Sequence, residues 1–243
     1  MKDALLKVTN VTKKFDELVA VDNLSFEVAQ GQIYGIAGPN GAGKSTVYNL
    51  ITGNYSYEGY IEFNGKDITG LSPHQIAKKG IARTFQIPQT FPSLNVQKSL
   101  CVGSRFGTKS GLDLDHVDEI IHFVSLENER HLKTGLLNLL GKKKLMIGAA
   151  LATKPKILML DEPMAGSNTQ EIKSLMDLIR RINHELGITI IIIEHFMKVL
   201  TELTEKLLCI DSGKMICCDE PEKVTNDPVV IECYLGDAYA KSK

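Results

Sequence analysis

One eight-residue run sets the tightest limit on what this chain can fold into. Gly38-Pro39-Asn40-Gly41-Ala42-Gly43-Lys44-Ser45 matches G-x-x-x-x-G-K-[ST] at every fixed position. It follows an apolar run, Ile33-Tyr34-Gly35-Ile36-Ala37, and precedes a helical pattern from Thr46 to Thr52. Strand, glycine-rich loop and helix in that order is the context such a motif requires. Glycines let the loop curl so that backbone N–H groups point inward at phosphate oxygens. The helix that follows adds the positive end of its dipole. Lys44 is then placed for the β- and γ-phosphates of a nucleotide, and Ser45 for Mg²⁺.

The flanking sequence completes an α/β pattern. Leu5 to Val11 and Leu24 to Val28 read as strands, and Tyr60-Ile61-Glu62-Phe63 runs into Asn64-Gly65, a hairpin signal. Ile157 to Leu160 and Ile188 to Ile193 are apolar throughout, as in strands buried on both faces of a parallel sheet. Between them, Glu171 to Leu186 puts Ile172, Leu175, Met176, Leu178, Ile179 and Ile182 on one helical stripe, which Gly187 stops. Strand, helix and strand make a crossover unit. The stretch 87–150 differs: it is rich in turn residues at first, then helical in spacing over Asp115–Val124 and Leu136–Leu151. It reads as a helical insert in an α/β core made of 1–86 and 151–243.

Composition narrows the class. The net charge is −1, against the strong basic excess of a dedicated nucleic-acid binder. With 43% hydrophobic and 23% charged residues, the profile is that of a globular protein. No run reaches the ~18 apolar residues that span a bilayer, and Met1 to Asn10 has no signal-peptide pattern. Cys101, Cys209, Cys217, Cys218 and Cys233 show no metal-ligand spacing and read as reduced, buried thiols of a cytosolic protein.

Two acids supply the rest of a candidate site. Leu160-Asp161-Glu162-Pro163 ends an apolar strand. Asp161 can hold Mg²⁺ through water, and Glu162 can polarise an attacking water as general base. His195 follows the isoleucine strand, at the strand end where open α/β sheets place ligands. It suits a γ-phosphate contact or a plain capping role.

These residues resemble the ATP-binding subunit of ABC transporters over nearly the whole chain. The resemblance implies a P-loop NTPase (RecA-like) core, an antiparallel β-subdomain and a helical subdomain special to the family. It implies binding of ATP and Mg²⁺ by Gly38, Pro39, Asn40, Gly41, Ala42, Gly43, Lys44, Ser45 and Thr46, with Phe15 stacked on adenine. Ser45, Gln86 and Asp161 become metal ligands, and Gln86, Glu162 and His195 the catalytic set. Arg83-Thr84-Phe85-Gln86 is similar to the Q-loop, Ala165-Gly166-Ser167-Asn168 to the D-loop, and Ile193-Glu194-His195 to the H-loop. Together with Tyr234-Leu235-Gly236, these details resemble the branched-chain amino-acid importer ATPases. That subfamily implies a peripheral protein at the cytoplasmic face of the membrane, paired with a second ATPase. Its other partners would be two permeases and an extracytoplasmic solute-binding protein, with no nucleic acid involved. The transported substrate is not implied beyond amino acids or related small polar solutes. A soluble, non-transport ABC ATPase is the alternative class, disfavoured here by a single compact domain without duplicated ATPases or zinc modules. An ATP-binding regulatory subunit with little turnover is a third.

One family motif is missing. Leu-Ser-Gly-Gly-Gln should precede Asp161, but the ungapped match is Leu137-Asn138-Leu139-Leu140-Gly141, followed by Lys142-Lys143-Lys144. In the family this signature touches the γ-phosphate held by the partner's phosphate loop. Losing hydrogen bonds to a charged group costs about 1.5–3 kcal/mol each. The leucines are an impaired signature, ordinary helix-core residues in a drifted one, or neighbours of a loop still working through Asn138 and backbone N–H groups. An impaired signature implies a heterodimer in which a partner supplies the intact motif. Two further departures are Ala149, where arginine is common, and Phe196 after His195, where aspartate is usual. The lysine run reads as a solvated helix face, or as a contact to acidic lipid or a permease loop. Ile87, Pro88, Phe91 and Pro92 suit either a permease contact or the chain's own core.

Overall fold

The computed structural model describes residues 4–107 and 111–240, and of 235–240 the backbone alone. The chain forms two compact units, Met1–Pro73 with Thr189–Lys243, and His74–Ile188. In chain order the first unit holds β1 (Ala4–Phe15), β2 (Leu18–Ala29), β3 (Ile33–Ala37), α1 (Lys44–Ile51), β4 (Glu58–Phe63) and β5 (Lys66–Asp67). The second takes over at α2 (Pro73–Lys79) and continues through β6 (Ile81–Arg83), α3 (Val96–Gly107), α4 (Leu114–Phe123) and α5 (Leu139–Leu151). It closes with β7 (Ile157–Asp161) and α6 (Thr169–Leu186). The first unit resumes with β8 (Thr189–Ile193), α7 (Met197–Leu203), β9 (Lys206–Asp211), β10 (Lys214–Asp219), α8 (Pro221–Thr225) and α9 (Pro228–Ala240).

In the first unit β2, β1, β4 and β5 form an antiparallel sheet in that order, with Asn64-Gly65 turning β4 into β5 as the sequence predicts. A second, mixed arrangement has β8 and β9 parallel to β3 on its two sides, and β10 antiparallel to β9. Register aligns the strand ends: Ile36 lies opposite Ile193, and Ala37 opposite Cys209. β3 and β8 are buried at every residue, which explains their unbroken apolar sequences. Whatever follows β3, β8 and β9 therefore emerges along one sheet edge.

In the second unit β6 and β7 pair in parallel, Ile81 to Ile157 and Arg83 to Met159. The α6 helix starts at a capping box, with Asn168 and Glu171 satisfying each other's backbone N–H groups, and buries Leu175, Met176, Leu178, Ile179 and Ile182 of the predicted stripe, while Ile172 is half-buried. Val96 and Leu100 of α3, Val117 and Ile121 of α4, and Leu145 and Ile147 of α5 are all buried.

Two expectations change. The helix read from Leu136 begins at Leu139, because Thr134–Leu136 forms a 3₁₀ turn and Asn138 caps α5 by accepting the Gly141 N–H at 2.7 Å. All five cysteines are free thiols, but only Cys209 is buried, while the other four are half-buried. Cys217 and Cys218 lie on β10, which has a strand partner on one side only. Burial, then the neighbouring Cys233 and Cys217, pushes the Cys209 thiol up to about 12, so it is protonated and unreactive at neutral pH.

Candidate functional site

The phosphate loop leaves the end of β3 and is held from two sides of the first unit. Gly38 has φ +152° and Gly43 φ +101°. A Cβ at Gly38 would collide with the Ile210 carbonyl oxygen, and one at Gly43 with the Ala20 carbonyl oxygen. Glycine is therefore required at both places for two reasons, dihedral angle and close approach. The β9–β10 turn locks the loop, since Gly213 N–H donates to the Ala42 carbonyl at 3.0 Å and Asp22 N–H to the Gly213 carbonyl at 2.9 Å. The α1 helix starts at Gly43 with no side-chain cap and no acidic residue in its first turn. Its N-terminal amides and its dipole thus suit an anion from outside the chain. Lys44 is buried and turns back over the loop, where Nζ donates to the Gly38 carbonyl at 2.6 Å and the Pro39 carbonyl at 2.8 Å. A cationic head inside a curl of amides, with the Ser45 hydroxyl exposed beside it, fits a Mg²⁺-bound polyphosphate.

Two more predicted residues belong to the same unit. His195 lies two residues beyond β8, on the sheet edge from which the phosphate loop emerges, and is half-buried. Phe15 ends β1 and is 38% exposed, its ring meeting the Tyr55 ring edge-on at 5.2 Å, with Lys13 Nζ 4.8 Å from the Phe15 centroid. An exposed, braced ring is suited to stacking on a base. Tyr55 and Lys13 carry no motif, so sequence reading passes over them.

The second unit assembles the acids. Asp161 is the last residue of β7 and is buried. Its backbone N–H donates to Thr84 Oγ1 at 3.3 Å, and Thr84 N–H donates to the Met159 carbonyl at 2.9 Å. Arg83 Nη2 donates to the Asp161 carboxylate at 2.7 Å, with side-chain exposures of 10% and 7%. The same guanidinium stacks 5.3 Å from the Phe85 ring centre. Glu162 follows in the left-handed region, φ +46°, a strained state for a residue with a Cβ. That twist turns its carboxylate to Gln86, whose Nε2 donates to Glu162 Oε2 at 2.6 Å. Gln86 and Glu162, 76 residues apart in the chain, are thus brought together. Arg83 is a partner that sequence reading missed, because its contact with Asp161 spans 78 residues of sequence.

The profile of the ABC transporter family matches residues 21–165, more than half the chain. The chain belongs to the ABC transporter family. It is 32% identical to a protein of Pseudomonas aeruginosa, "High-affinity branched-chain amino acid transport ATP-binding protein BraF", over 98% of this chain and 100% of that one. It is 33% identical to the Escherichia coli protein of the same description, LivG, with the same coverage. The solved cassette MJ1267 in its ADP conformation superposes with a TM-score of 0.88 at 31% identity, over 97% of this chain and 100% of that one. The α/β fold with its antiparallel sheet is that of ABC ATPase cassettes, and the chain is an ATP-binding subunit of the ABC type. Among the described residues no helix is long and apolar enough to cross a membrane.

Against that family the signature region stands apart. Asn138 Oδ1 is engaged in capping α5. Leu139, one of the two leucines at the glycine positions, is 40% exposed, so it is not a helix-core residue. A Cβ on Gly166 of the D-loop would lie 3.4 Å from Leu139 Cδ2, so the leucine side chain occupies space beside that loop. Lys143 corrects the reading of the lysine run as a solvated face or a lipid contact: it is 2% exposed. It points inward because Nζ has two acceptors there, donating to the Ala165 carbonyl and, at 2.7 Å, to Ser167 Oγ. The lysine thereby clamps the D-loop to α5. Lys143→Met should destabilise the protein by about 1.5–3 kcal/mol, the range for a hydrogen bond to a charged group, read as a lowered midpoint in thermal unfolding. Phe196, where the family has aspartate, begins α7 with no side-chain cap and is 51% exposed. After Gln86, Ile87 is 71% and Phe91 54% exposed, which removes the reading of these two as core residues.

Proposed function

We propose that this chain is the ATP-hydrolysing subunit of a membrane importer for branched-chain amino acids or related small polar solutes. The observation that carries the reading is the full-length likeness to BraF and LivG, whose names state branched-chain amino-acid transport. In this reading 1–86 with 151–243 is the α/β core and 87–150 the helical insert. Gly38 to Thr46 hold the phosphates, Phe15 the base, and Ser45, Gln86 and Asp161 the Mg²⁺. Mg²⁺ supplies charge neutralisation on the phosphate oxygens. Glu162, oriented by Gln86, takes the proton of the attacking water, and His195 contacts the γ-phosphate. The protein works at the cytoplasmic face of the membrane, beneath two permeases fed by a solute-binding protein. The exposed Ile87 and Phe91 suit the permease contact.

The altered signature makes a heterodimer the favoured assembly. Asn138 is committed to capping, and Leu139 and Leu140 replace residues small enough for close backbone approach, so two copies of this chain would make two defective sites. A partner cassette with an intact signature would complete the site built on this chain's phosphate loop. The test is phosphate release by the purified chain, alone and mixed with such a cassette. Little turnover alone and a rise of at least about tenfold on mixing are expected, tenfold corresponding to 1.4 kcal/mol of recovered interaction. Robust turnover by the chain alone, abolished by Glu162→Gln, would sink the heterodimer. No turnover in either arm, with ATP still bound, would favour a regulatory subunit.

A further inference from the structure

The buried N–H of Gly38, the first residue of the phosphate loop, finds its partner far along the chain. It donates to the phenol oxygen of Tyr234 at 2.7 Å, across 196 residues of sequence. Tyr234 belongs to α9, the last helix. The carbonyl of the same Gly38 accepts from Lys44 Nζ at 2.6 Å. One residue therefore links the loop's lysine on one side to the C-terminal helix on the other. Gly38 cannot shift freely to find another partner, because the Ile210 carbonyl oxygen fills the space where a Cβ would be.

The helix is itself anchored. Asp227 caps it, accepting the N–H of Val229 at 2.8 Å and of Val230 at 3.3 Å, and Val230 is 2% exposed. An anchored helix delivers the phenol to a fixed point, and that point is the start of the loop.

We infer that Tyr234 is a positioning residue for nucleotide binding: docking of α9 sets the shape of the phosphate loop through the Tyr234–Gly38 hydrogen bond. The inference rests on the reading of residues 38–46 as the nucleotide site. Without the phenol, a buried backbone donor is left unpaired unless the loop moves, and a moved loop misplaces the Gly38 carbonyl that holds Lys44. Coupling of this kind is reciprocal, so a nucleotide that favours the ordered loop favours the docked helix by the same factor.

Tyr234→Phe keeps the ring and removes only the hydroxyl. In the full chain it should raise the dissociation constant for ATP, by titration calorimetry below the unfolding transition, about 3- to 10-fold. Asp227→Ala, which frays α9 without touching the loop, should shift ATP affinity in the same direction. ADP should slow amide hydrogen exchange within residues 228–234 of the wild type. Equal ATP affinity in wild type and both variants overturns the inference, as does the absence of ADP-dependent protection in that helix. If Tyr234→Phe does not fold, the Asp227→Ala titration and the exchange measurement on wild type decide it. Wild type that does not bind ATP, or binds it undiminished after Lys44→Ala, overturns the nucleotide-site reading itself.

Discussion

Glu162→Gln is expected to lower ATP turnover of the assembled ATPase by about 10²–10⁴-fold, the usual contribution of a positioned general base, and to leave ATP affinity unchanged. The substitution keeps the length and shape of the side chain. Its amide oxygen can still accept the hydrogen bond that Gln86 Nε2 gives to Glu162 Oε2 at 2.6 Å. What it removes is the ability to take a proton. Glu162 also holds φ +46°, a backbone state that costs about 1–3 kcal/mol for a residue with a Cβ. The strain aims the carboxylate away from the line of β7, and glutamine inherits that backbone without relieving it. Steady-state phosphate release in the presence of a partner cassette, with nucleotide titration on the same sample, separates the two effects. Turnover within a factor of about three of wild type, under 1 kcal/mol of barrier, would mean that another group takes the proton.

Arg83→Met should destabilise the protein by about 3–5 kcal/mol, the cost of removing one partner from a buried ion pair. Arg83 and Asp161 meet at 2.7 Å with side-chain exposures of 10% and 7%, so water does little to replace the lost charge. Methionine retains most of the aliphatic volume beside Phe85, which isolates the electrostatic part. The double variant Arg83→Met with Asp161→Asn should recover much of the loss, because the carboxylate then has no charge left to strand. Urea denaturation of wild type, both single variants and the double variant gives the coupling. A loss under about 1 kcal/mol in Arg83→Met would place the pair with solvent-screened surface bridges. The same pair bears on metal binding, since the oxygen Arg83 contacts belongs to the proposed Mg²⁺ ligand. Releasing it should change the Mg²⁺ dependence of turnover as well as stability.

Much of the site could be read from the chain because its chemistry is local. The phosphate loop is eight consecutive residues whose glycines have to turn where they do, and the strand before it is apolar at each position because it is buried on every side. Asp161 and Glu162 stand together at the end of β7 for the same reason. The break in the family pattern at Asn138 to Gly141 is legible in the chain as well. What that break does locally was not: asparagine at a helix start caps it, so α5 begins at Leu139 rather than Leu136. The cap rule was available, but the leucines on either side carried the helical spacing and masked it.

The sequence by itself determined the main strands and helices around the site, the phosphate loop and the pair of acids, because each is specified by residues within a few positions of one another. Tertiary structure alone decided which groups these residues touch. Arg83 reaches Asp161 across 78 residues and Tyr234 reaches Gly38 across 196. Lys143, in a run of three lysines that looked solvated, turns inward because the D-loop offers it two oxygens. Hydrogen-bond and ion-pair partners depend on distance and angle in space, and no pattern along the chain encodes those until the strands have set their register.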